Sequence, residues 1–159
     1  MKKLFALVAI ASLAFSACSS KGTKTTSDQK TSVNDIRYAA TGSDAGNAGA
    51  LKSVHFEYDK SAFTEETKTI LKDNAEWLRF NPKIKVQVEG HSDNRGAIEY
   101  NIALGEKRAI SVEKYLNAIG IKRDRLSTIS FGEEKPLDTA DTEEAWAKNR
   151  RANFVIVEK

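Results

Sequence analysis

The hydrophobic positions fall into three regimes along the chain. Leu4 to Phe15 is almost wholly apolar. From Ser19 to about Ala50 the larger apolar residues thin out to Val33, Ile36 and Tyr38 among Thr, Ser, Gly, Ala and Lys. From Leu51 onward apolar and polar residues alternate with recognisable periods. Ser53 to Tyr58 puts Val54, Phe56 and Tyr58 on one side and His55 and Glu57 on the other, the period of a strand with one buried face. Asp59-Lys60-Ser61 turns the chain, and Thr64 ahead of Glu65-Glu66 supplies an N-cap with acids in the first helical turn. Ile70, Leu71, Asn74, Trp77 and Leu78 then share one helical face, and Asn81-Pro82 ends it, because proline disfavours helix at the residue before it.

Ile84 to Glu89 alternates again and runs through Gly90 into the polar loop His91-Ser92-Asp93-Asn94-Arg95-Gly96. A long helix follows, with Ile102, Gly105, Ala109, Val112, Leu116 and Ile119 at spacings of three and four, and Gly120 where a left-handed cap is expected. Leu126 to Phe131 reads as a third strand, Glu143 to Arg151 as a short helix and Asn153 to Val157 as a last strand. The order βαβαβ(α)β predicts an α/β chain of the α+β kind. Its expected form is a two-layer sandwich, a mixed four-stranded sheet with helices packed on one face.

The chain's ends add an organisation of their own. Lys2 and Lys3 precede the apolar run, and Ser16-Ala17 sets small residues ahead of Cys18, as in a secretory signal peptide. The run is too short for a permanent span, which takes about 20 apolar residues. Leu13 to Cys18 resembles a bacterial lipobox, with Phe15 where leucine is usual; Cys18 is then the acylated first residue of the mature chain, and Ser19 after it points to the outer membrane. Residues 1–17 are therefore expected to be a lipoprotein signal peptide and 18–50 a flexible periplasmic tether, too poor in apolar residues to order itself. Residues 51–159 form the one folded domain, long enough to bury a core without disulfide or metal.

Charge and cysteine usage exclude further classes. Cys18 is the sole cysteine, so no intramolecular disulfide is possible. Cleavage would remove Lys2 and Lys3 and lower the formal net charge from +3 to +1. No run of Lys and Arg interleaved with aromatics offers a nucleic-acid groove.

Tyr58-Asp59-Lys60-Ser61, Gly90-His91-Ser92-Asp93, Tyr100 to Ala109 and Asn149-Arg150-Arg151-Ala152, in that order and spacing, resemble the OmpA C-terminal-like family over about residues 53–159. The resemblance implies noncovalent binding of peptidoglycan through the diaminopimelate of its stem peptide, with Asp93 and Arg108 clamping its free end. It further implies that Tyr58, Asp59, Ser92, Asn101 and Leu104 line the pocket, and that TolB is the periplasmic partner. The residue chemistry agrees: an ammonium beside a carboxylate calls for an anion and a bidentate cation close together. Asn101, Leu104 and Arg108 lie along one flank of the long helix. Spacing alone favours a structural Asp93–Arg108 bridge with no ligand, a preference that the family resemblance reverses, and Arg150 and Arg151 read as ties between the last helix and the sheet.

No enzyme, metal site or cofactor is expected. His91, Ser92 and Asp93 are consecutive, whereas a catalytic triad needs the base to bridge nucleophile and acid in space. Two histidines and one acylated cysteine make a poor metal set. The rival readings are an envelope hydrolase or amidase using Glu89, His91 or Asp93, and a different wall-anchoring protein of the same family, such as a stator-like one with a true membrane helix.

Overall fold

A computed structural model describes residues 42–158. The expected signal peptide, Cys18 and the tether as far as residue 41 lie outside them. Strands β1 (Val54–His55), β2 (Lys85–His91), β3 (Leu126–Gly132) and β4 (Arg151–Glu158) form one sheet in the order β1-β4-β2-β3. β2 and β3 are parallel, and β4 runs antiparallel to both β1 and β2. Three helices, α1 (Glu65–Phe80), α2 (Ile98–Ala118) and α3 (Glu143–Asn149), complete the mixed α+β architecture that the periodicity predicts.

The helices begin and end for local reasons. The Thr64 hydroxyl accepts the Thr67 N–H at 3.1 Å, and Thr142 does the same for Ala145 at 3.3 Å, satisfying donors that the first turns of α1 and α3 leave free. Asn81 closes α1, donating its N–H to the Trp77 and Leu78 carbonyls. Gly120, with φ of +100°, ends the long helix where its pattern runs out.

Cross-strand partners place Val54, Ala152, Phe154, Val88, Val86 and Leu126 on the sheet face that meets the helices. There they join Leu71, Ala75, Leu78, Ala109, Val112 and Leu116 in a single core. Complete burial of each Leu, Val or Phe stabilises by roughly 1.5–3 kcal/mol, so this face supplies most of the driving force. α2 lies unusually near β2. A Cβ on Gly90 would stand 1.9 Å from the Gly105 carbonyl oxygen, and one on Gly105 would stand 2.4 Å from Ser130 Oγ. Only two glycines facing each other allow that backbone-on-backbone contact.

Three expected boundaries move. The first strand contributes only two residues to the ladder, because beyond Phe56, whose N–H reaches the Arg150 carbonyl, the backbone carbonyls of Glu57 and Lys60 turn toward a side chain of α2. α3 stops at Asn149, since Arg151 already belongs to β4.

The folded domain also begins before the expected boundary at residue 51. Residues 42–45 form a 3₁₀ turn on the sheet face away from the helices. There Asp44 pairs with Arg151 at 2.7 Å, both side chains buried, and Ser43 Oγ donates to Asn153 and accepts from the Phe154 N–H. Ala48 and Leu51 enter the core, and both backbone groups of Lys52 bond the Asn74 side chain at 2.8 and 2.9 Å. Low hydrophobicity concealed this segment because its attachment is mostly polar.

Candidate functional site

The loops following β1 and β2, together with the outer flank of α2 and the start of α3, bring the expected residues to one end of the sheet. Asp93 lies two residues past the end of β2 and is buried. Its Oδ1 accepts the Arg95 N–H at 3.2 Å, a turn in which an aspartate bonds its own backbone two residues on. Oδ2 takes Arg95 Nη2 at 2.7 Å and Arg150 Nη1 at 3.4 Å. Burial pushes the Asp93 carboxyl upward, but the bonds from Arg95 outweigh it and hold the group below the usual carboxylate range. Asp93 is therefore an ionised, almost solvent-free anion at neutral pH.

Arg108 is 0% exposed, and its guanidinium does not touch Asp93 through a direct bridge. Nε donates to the Lys60 carbonyl at 2.9 Å, Nη1 to His91 at 2.8 Å and Nη2 to Glu57 at 3.1 Å. These bonds fasten the β1–α1 loop to the end of β2, and the plane lies over the Phe56 ring. Burial lowers the pKa of Arg108 to about 10, with the charge of Asp93 working against that shift, so the side chain stays cationic at neutral pH. The direct Asp93–Arg108 bridge that spacing alone favours does not form: the two charges are neighbours, each with other partners. The carbonyls prevail because they converge on a planar fork with several donors.

The remaining expected residues divide. Asn101 is buried and its Nδ2 donates to the Arg95 carbonyl at 3.2 Å and Glu133 Oε2 at 2.5 Å; Leu104 is buried on the same flank of α2. Asp59 takes a positive φ of 55° and accepts the Tyr100 hydroxyl. Tyr58 is exposed, its ring against the Arg95 guanidinium. Ser92 lines a cavity of about 730 Å³ that it shares with Asn94, Phe131, Glu133 and Asp138. Its buried Oγ has no hydrogen-bond partner among the described residues.

His91 is buried and stacked on Phe131 at 5.7 Å, with Nε2 3.9 Å from Glu89, beyond hydrogen-bond reach. Burial depresses its pKa, so the ring is neutral at pH 7. Neither of its nitrogens bonds Ser92.

Sequence reasoning missed Arg95, Trp146 and Glu143. The Arg95 guanidinium carbon lies 4.1 Å from the Tyr58 ring centroid and 4.1 Å from that of Trp146, and Nη1 is 3.5 Å from Glu143. The Asp-x-Arg spacing carried a signal for the turn; nothing in the sequence placed α3 against it. Arg150 was expected to tie the last helix to the sheet, and it does so, donating to Glu143 at 2.8 Å and to the Phe56 carbonyl at 3.1 Å. Its reach to Asp93 was not foreseen.

Comparison with known proteins adds an independent line. A sequence model of the OmpA family matches residues 55–150. The chain is 37% identical over 157 residues to the peptidoglycan-associated lipoprotein of Pseudomonas putida, covering 94% of each sequence. The crystal structure of the peptidoglycan-associated lipoprotein from Burkholderia pseudomallei superposes with a TM-score of 0.63 at 36% identity, over 65% of this chain and 88% of that one. The C-terminal domain of Helicobacter pylori MotB shares the fold, with a TM-score of 0.64 at 23% identity, over 69% of this chain and 86% of that one. Among the described residues no helix is long and apolar enough to cross a membrane.

Proposed function

The chain belongs to the OmpA family, and from that premise we propose that it binds peptidoglycan noncovalently and without cleaving it, while an acylated Cys18 holds it to the outer membrane. The domain then faces the periplasm and ties the membrane to the wall. One observation carries the reading: a buried ionised carboxylate, Asp93, neighbours a buried guanidinium, Arg108, at one end of a framework whose relatives are named for association with peptidoglycan. A fixed anion and a fixed cation suit a ligand bearing an ammionium and a carboxylate on one carbon, as the free end of diaminopimelate in a stem peptide does.

In this reading Asp93 receives the ammonium and Arg108 turns its remaining N–H donors to the carboxylate, while Asn101, Leu104, Tyr58 and Asp59 shape the surround. Ser92 offers an unpaired hydroxyl from the neighbouring cavity. Membership of a Tol–Pal-type system, with TolB as partner, belongs to the same proposal and rests on family resemblance.

Calorimetric titration of the mature chain with a diaminopimelate-containing tetrapeptide tests it. Asp93→Asn keeps the shape of the side chain and an acceptor for the Arg95 N–H, and should abolish the binding heat while thermal unfolding remains cooperative. Arg108→Ala is the poorer probe, because three backbone carbonyls lose their donor. The peptide should be recovered with its mass unchanged. A folded wild-type chain that gives no heat would overturn the reading.

A further inference from the structure

The place where a ligand's ammonium would meet Asp93 is filled by the chain's own cation. Arg95 lies between Tyr58, from the loop after β1, and Trp146, from α3, with its guanidinium carbon 4.1 Å from each ring centroid. Asp93 takes its Nη2 at 2.7 Å, and Glu143 flanks its Nη1 at 3.5 Å. Two aromatic faces with acids at their rim form a cation receptor, since the negative ring faces attract positive charge. Tyr58 and Trp146 belong to different elements and meet on opposite sides of this guanidinium. The cavities of about 730 and 250 Å³ that open nearby are lined by neither Tyr58, Asp93 nor Trp146.

Resting on the peptidoglycan reading above, we infer that Tyr58, Trp146, Asp93 and Glu143 form a cage for a ligand's amine, that Arg95 is its built-in occupant, and that ligand binding is an exchange of one cation for the other. Three observations support a removable occupant. The Arg95 side chain is 30% exposed, so it borders solvent into which it can swing. Its Nε is buried without a hydrogen-bond partner, so the resident cation fits the cage imperfectly and regains hydration on leaving. Arg150, whose side chain is only 8% exposed, also holds Asp93 Oδ2, so the carboxylate is not orphaned while the cations change places.

The exchange sets a threshold that a ligand must exceed. An amine alone competes with a tethered guanidinium that is always at hand, whereas an amine carried beside a carboxylate gains a second attachment at Arg108 and wins. Arg95 therefore lowers the affinity for every ligand by the same factor, and a simple amine, lacking the second attachment, then binds too weakly to register.

If Arg95 fills the cage nine-tenths of the time, the apparent affinity is reduced about tenfold. The test titrates wild type, Arg95→Ala and Arg95→Gln with the diaminopimelate tetrapeptide and, separately, with methylammonium. Trp77→Phe in each background leaves Trp146 as the sole tryptophan reporter. Expected are tetrapeptide binding about tenfold tighter in both Arg95 variants, measurable methylammonium binding in those variants only, and a Trp146 emission change on wild-type binding that is much smaller in the variants. The glutamine variant, shorter than arginine but polar and uncharged, serves should alanine loosen the loop. Wild type that binds the tetrapeptide as tightly as the variants, or more tightly, overturns the exchange and leaves the peptidoglycan reading standing, with Arg95 as a support for Asp93. Failure of all three folded proteins to bind removes both.

Discussion

Replacing Asp44 by alanine should cost far more than its place at the margin of the domain suggests. Its carboxylate lies 2.7 Å from Arg151 Nε, and the two side chains are 2% and 4% exposed. The same carboxylate accepts the Ser53 hydroxyl at 2.5 Å. Were the pair solvated, its loss would cost about 0–1 kcal/mol. Here removal of the acid strands a buried guanidinium whose other bonds, to the Asn149 and Lys135 carbonyls at 3.3 and 3.2 Å, are long and carry no countercharge. Breaking a buried pair from one side typically destabilises by about 3–5 kcal/mol. With a urea dependence of about 2 kcal/mol per molar, the midpoint should fall by roughly 2 M. Equilibrium urea unfolding followed by far-ultraviolet circular dichroism measures it, and Asp44→Ala combined with Arg151→Met should recover most of the loss, since no charge is then left unpaired. A shift below about 1 kcal/mol for the single variant would refute the argument and return residues 42–50 to the tether.

Gly90→Ala should destabilise by about 3 kcal/mol or more, because the new methyl would overlap the Gly105 carbonyl and neither backbone can yield cheaply; thermal unfolding should show it, and a loss below 1 kcal/mol would mean that α2 can lift off β2. Asn74→Ala removes both side-chain bonds to the Lys52 backbone, a cost of roughly 1–3 kcal/mol, with hydrogen exchange at the Lys52 N–H accelerating before that of the core; unchanged exchange there would count against it. Stability should fall between pH 7.5 and 5.5. Burial holds His91 and His55 below their ordinary pKa, so the unfolded chain takes up protons near pH 6.5 that the folded chain refuses, while Asp93, with its depressed pKa, matters only below about pH 4. A urea midpoint that stays level across that window would contradict the burial of these rings.

Much of the fold was legible because it rests on periodicity. The alternation of Val86 and Val88, the helical face from Ile70 to Leu78 and the glycine stripe at Gly105 each reported burial against a single neighbour, which is a local property of sequence. The site was legible as a membership and not as a pairing. Asp93, Asn101, Leu104 and Arg108 do gather at one end of the sheet, yet Arg108 satisfies three carbonyls contributed by two other segments, an arrangement that no spacing within α2 announces. Arg95 escaped for the same reason, since two of its partners, Tyr58 and Trp146, stand 37 residues before it and 51 after it in the chain. Residues 42–50 escaped because composition detects apolar packing, whereas this segment is held by Asp44, Ser43 and a close fit of Gly49 to the Trp77 ring.

The seating of the 3₁₀ turn on β4 decides how a pull on the N-terminal side is received. A tether that joined the domain at residue 51 would deliver tension straight to β1, a two-residue edge strand that could peel away from β4 one pair at a time. Through Ser43 and Asp44, tension arriving at Gly42 is passed instead to Arg151, Asn153 and Phe154. These lie on β4, an interior strand with β1 on one side and β2 on the other. The load thereby enters the middle of the sheet, where ladder bonds on both sides share it and β1 is spared.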